Sequence, residues 1–170
     1  MADVILLILL VLHITFMALW IGTAALLSSI LIPSFGKISA GSRAEFLITV
    51  LPRLARFIVG VSTGAVLAGI LLFGYETRVA TAYAPSSLGT TFIEVGAVVG
   101  LISYALAIGV AFPTVNRLVK ALQSFKDSGK PAGEMPADIP RMQVRMTMTS
   151  GAVSGLLALT LILMVIGAIV

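Results

Sequence analysis

Residues 4–33 read VILLILLVLHITFMALWIGTAALLSSILIP. The run contains no Asp, Glu, Lys or Arg, and it is longer than the roughly 20 apolar residues that cross a hydrocarbon core of about 30 Å. A cleavable signal peptide opens on basic residues and has a much shorter apolar core. Here the run follows Met1-Ala2-Asp3, so the sequence predicts a retained span. Three further stretches meet the same test, at about residues 57–75, 91–113 and 147–170. The expected fold is all-α, an integral membrane four-helix bundle forming one domain over residues 1–170.

Composition agrees. Hydrophobic residues make up 59% of the chain, charged residues 11%, and the mean hydropathy is +1.13. A soluble domain of 170 residues cannot bury that much apolar surface. The absence of cysteine excludes disulfides, thiolate metal sites, iron–sulfur clusters and covalent haem attachment. The net charge of +4 is not a nucleic-acid signal, because no basic run is interleaved with aromatics.

The charges report topology instead. Of the 11 Lys and Arg residues, all but Arg78 fall in residues 34–56 or 114–146. By the positive-inside rule these segments are cytoplasmic loops, and both termini lie outside the cell membrane. Beyond the third span, Leu118, Leu122 and Phe125 recur at helical spacing among Arg117, Lys120 and Lys126. This predicts an amphipathic extension lying on the anionic inner leaflet, broken at Asp127-Ser128-Gly129. The fourth helix is expected to begin near Arg141. Gly60/Gly64, Gly96/Gly100 and Gly151/Gly155 predict close helix packing, within the chain or between copies.

His13 is the single histidine and lies about 13 Å inside the first span at 1.5 Å per residue. An ionisable group at that depth normally faces the bundle interior with a partner. Two readings stand. Neutral imidazole is a ligand for haem iron or copper; alternatively His13 is hydrogen-bonded across helices, to Ser103 or Tyr104. Trp20, two turns below on the same face, is either a cofactor wall or core packing. The chain has no second histidine, so an intrachain pair needs methionine, and depth selects Met164. Its bland reading is packing. Five-coordinate iron and a ligand from another subunit stay open. Arg78, Tyr75 and Thr77 stand near the outer edge, where haem propionates would need polar company.

The segment Leu12-His13-Ile14-Thr15-Phe16-Met17-Ala18-Leu19-Trp20-Ile21-Gly22, followed by Pro33, resembles the opening helix of the superfamily of HemJ-type protoporphyrinogen oxidases and CopD-type copper-resistance proteins. Leu51-Pro52-Arg53-Leu54-Ala55-Arg56-Phe57 and the glycine-rich second span fit the same pattern. The resemblance implies a b-type haem held by His13. HemJ-type enzymes carry a lysine, and commonly another histidine, in a later helix; the third span, Phe92-Ile93-Glu94-Val95-Gly96-Ala97-Val98, has neither. A CopD-type role would call for more Met and His at the outer mouth. The expectation that follows is a haem b protein passing electrons within the membrane, alone or as part of a respiratory complex, with the lipid bilayer, a second copy or a larger membrane complex as partners. The alternatives are a non-catalytic accessory subunit and a copper or small-solute transporter, the latter without a visible inverted repeat.

Overall fold

The computed structural model describes residues 4–78, 86–129 and 136–170. It contains four helices long and apolar enough to cross a membrane: α1 (Val4–Lys37), α3 (Leu51–Arg78), α4 (Ser87–Asp127) and α5 (Asp138–Ile169). Helices suit lipid because every backbone N–H and C=O is satisfied within the segment. Each helix outruns the apolar stretch that marks it in the sequence. The fourth begins at Asp138, ahead of Arg141.

The segment 34–56 is more than a loop. It holds α2 (Ala40–Thr49), started by Ser39, whose side-chain oxygen accepts from the Ser42 backbone N–H at 3.1 Å. Leu47, Leu51 and Ala55 are buried, and they join Val115, Leu118, Leu122, Ile139 and Met146 in one core at the basic end of the bundle. This corrects the expected placement of the α4 extension. Leu118 and Leu122 pack into protein, with Phe125 against them, and do not lie on the leaflet surface. Periodicity identifies an apolar face; it does not say what covers that face.

The helices form two hairpins, α1 with α3 and α4 with α5, the two closest pairings in the bundle. Among the described residues, side-chain hydrogen bonds tie the hairpins together in the half toward the basic end. Ser28 Oγ donates to Ser154 Oγ at 3.0 Å, which donates to Ala24 O at 3.0 Å. Tyr104 OH and Thr63 Oγ1 share a hydrogen bond of 3.0 Å.

The hairpins repeat one another. In α1, residues Leu27–Leu31 form a π-turn two residues before Pro33. In α4, Ala107–Ala111 do the same before Pro113. Proline lacks an N–H and its ring presses on the preceding turn, and the wider register accommodates it. The next residue completes the match. Ser34 Oγ donates to Ile30 O, and Thr114 Oγ1 donates to Val110 O, both at 2.7 Å. In the partner helices Leu51-Pro52-Arg53 is echoed by Ile139-Pro140-Arg141, and Ser62-Thr63-Gly64-Ala65-Val66 by Thr149-Ser150-Gly151-Ala152-Val153. Leu51 and Ile139 are both fully buried. The halves run in the same direction, so this is a parallel repeat and not an inverted one.

Of the glycine pairs, only Gly96/Gly100 meets another helix along its full length, against Met164 and Thr160. Gly64 lies under the Phe16 ring, while Gly60, Gly151 and Gly155 face open space. The closest backbone approach involves Gly167, where an added Cβ would fall 2.7 Å from Gly89 O and 3.0 Å from Ile93 N. Backbone cannot swing aside as a side-chain tip can. Gly167→Val is therefore expected to destabilise the α4–α5 hairpin by about 1–3 kcal/mol. Gly151→Val, in open space, is expected to have little effect; melting in detergent compares the two.

Candidate functional site around His13

His13 is half-buried between α1 and α3. Its Nδ1 lies 2.9 Å from Ala65 O. A carbonyl oxygen only accepts, so Nδ1 carries the proton, and in the neutral ring Nε2 keeps its lone pair. Within a helix the Ala65 carbonyl points toward the N–H of Gly69, one turn on. At that residue a Cβ would fall 2.8 Å from His13 Cε1 and 3.0 Å from Nδ1. The missing side chain at Gly69 opens the helix groove, and the imidazole enters it to reach the carbonyl.

The acceptor differs from both side chains offered by the sequence. Ser103 Oγ donates to Val153 O at 3.3 Å within the other hairpin. Tyr104 is bonded to Thr63. A backbone carbonyl thus orients the histidine, which is the arrangement that fixes the tautomer of ligating imidazoles.

Trp20 is 1% exposed and packs edge-on to Tyr104, with ring centroids 6.3 Å apart. Its core includes Ala24, Val61, Ala65, Ala107, Val153 and Leu157, so Ala65 belongs to the Trp20 core while its carbonyl holds His13. Trp20 Nε1 has no hydrogen-bond partner among the described residues. Below the ring lies an apolar cavity of about 50 Å³, reaching Ala107 and Phe112 at the α4 π-turn.

Met164 is half-buried, and its Cγ would lie 3.1 Å from a Cβ at Gly96. It is a packing residue of the α4–α5 hairpin, whereas His13 belongs to α1–α3. A His/Met pair would therefore draw one ligand from each hairpin. Tyr75 and Arg78 lie further out along α3 than Gly69, Arg78 nine residues on, or about 13 Å. Tyr75 is half-buried and Arg78 exposed. Among the described residues no group of three or more His, Asp or Glu side chains gathers to hold a metal ion.

The residue that sequence reasoning missed is Gly69. Its signal was available: a glycine within a span of the helix that follows a histidine-bearing span. Comparison with known protein families, with characterised proteins and with solved structures finds no match. The fold and site define an all-helical protein of four membrane-length helices in two repeated hairpins, one of which carries a buried-edge histidine.

Proposed function

We propose that this chain is a haem b protein of the cell membrane that takes part in electron transfer within the membrane, alone or as part of a respiratory complex, and that His13 Nε2 would hold the iron. The observation that carries the reading is the His13 Nδ1–H bond to Ala65 O, which leaves the lone pair of the neutral ring on Nε2. When bound, haem supplies a one-electron iron couple. The chain supplies the rest. Ala65 fixes the imidazole, Gly69 gives it room, Trp20 closes the interior beneath, and Arg78 and Tyr75 offer polar contacts for propionates. Met164 is the intrachain candidate for a second iron ligand. The basic residues at one end of the bundle support cytoplasmic placement of that end, with both termini outside.

The test is an absorption spectrum of the full chain purified in detergent from haem-replete cells. A Soret band is expected. His13→Gln keeps an N–H for Ala65 O and removes the imidazole, so the variant should melt like the parent with at least tenfold less bound haem. A colourless, well-folded parent would sink the reading.

One observation favours a second reading, a non-catalytic accessory subunit. Val4, Leu7, Ile8, Val11 and Leu12, on several sides of the outer end of α1, are all exposed among the described residues. Such a subunit co-purifies with a larger membrane partner and is colourless alone.

A further inference from the structure

A second site lies at the basic end of the bundle, remote from His13 in chemistry. A groove of about 460 Å³ runs between the end of α1, α2 and the start of α5. Arg43 and Gln143 line it together with Ile32, Phe35, Val144 and Met148, and no carboxylate does among the described residues. Arg43 stands one helical turn before Leu47, which is 1% exposed, so its stem shares the buried face of α2. Its Nε is buried and has no hydrogen-bond partner among the described residues. A guanidinium N–H withdrawn from water and left unpaired is costly unless an acceptor arrives. The other end of the groove is apolar and open to the side, with Val144 57% and Met148 72% exposed.

We propose that this groove binds an anionic phospholipid from the leaflet at the basic end, its phosphate on Arg43 and its acyl chain along Val144 and Met148. The arrangement fits an amphiphile. Arg43 and Gln143 sit at the bundle end, and Met148 lies further along α5 toward the membrane interior. The space matches a headgroup and glycerol, since small-molecule sites span roughly 300–1,000 Å³. Basic pockets between membrane helices on this side characteristically take lipid headgroups. Arg43 also offers the planar fork that pairs with phosphate oxygens.

The experiment measures melting of the detergent-purified full chain with dioleoyl phosphatidylglycerol, dioleoyl phosphatidylcholine or glycerol phosphate. Phosphatidylglycerol is expected to raise the midpoint, and the other two are not. Arg43→Gln should weaken the phosphatidylglycerol response about tenfold in lipid concentration, as expected for hydrogen bonds to a charged group. Lys120→Gln, an exposed charge outside the groove, should leave it unchanged. Should Arg43→Gln fail to fold, native mass spectrometry of the parent decides by retention of phosphatidylglycerol over phosphatidylcholine. Equal response to both lipids, an equal shift with glycerol phosphate, or an equal loss in Lys120→Gln would overturn the proposal.

Discussion

Trp20→Ala is expected to lower the stability of the bundle by about 3–5 kcal/mol, read as a fall in melting midpoint in detergent. The side chain is 1% exposed and lies where both hairpins meet, against Tyr104 of α4 and Ala65 of α3. Association of helices in lipid draws on packing and not on expulsion of water. The loss is therefore mostly one of contacts, made worse because the new void would merge with the cavity of about 50 Å³ beneath the ring. Trp20→Phe makes a sharper comparison. It keeps much of the ring contact and removes an N–H that has no partner among the described residues. An unsatisfied buried donor costs about 1–3 kcal/mol, so Phe should restore most of what Ala loses. If Trp20→Phe melts as low as Trp20→Ala, Nε1 has a partner that the packing does not show.

Gly69→Ala is expected to evict the His13 imidazole from α3 while leaving the hairpin assembled. The added methyl would fall 2.8 Å from Cε1, closer than real side chains approach. The ring can rotate away, but it then gives up Ala65 O. Loss of that bond costs about 1 kcal/mol, a small part of the total. The proposed ligand geometry depends on it much more strongly, since outer partners of ligating histidines change affinity by 10–100-fold. The Soret band should fall by up to that factor at limiting haem while melting shifts only slightly. Gly74→Ala, in open space on the same helix, is the control. An unaltered spectrum in Gly69→Ala would remove Ala65 from the ligand assembly.

The four spans were legible because lipid imposes one rule on every crossing segment, and Val4 to Pro33 satisfies it without ambiguity. What the sequence left out were matters of partner. The face of Leu118 and Leu122 was evident from spacing, yet its cover comes from Leu47 and Ile139, distant in the chain. The ten residues of α2 passed for a loop because their polar half resembles one; Ser39 with Ser42 was the readable start. His13 stood out by cost alone. Its acceptor was hidden because a backbone carbonyl carries no letter, and only the glycine that exposes it does. The parallel repeat was written plainly in Pro33-Ser34 and Pro113-Thr114, but hydropathy blurs such likeness among apolar helices.

An assembly of two identical hairpins would carry every side chain twice, on both sides of its axis. Here the two are one chain, and the position in the second half that corresponds to His13 holds Ile93. Each chain therefore offers a single imidazole, on one flank alone, and under the proposed electron-transfer role a partner would meet a handed surface.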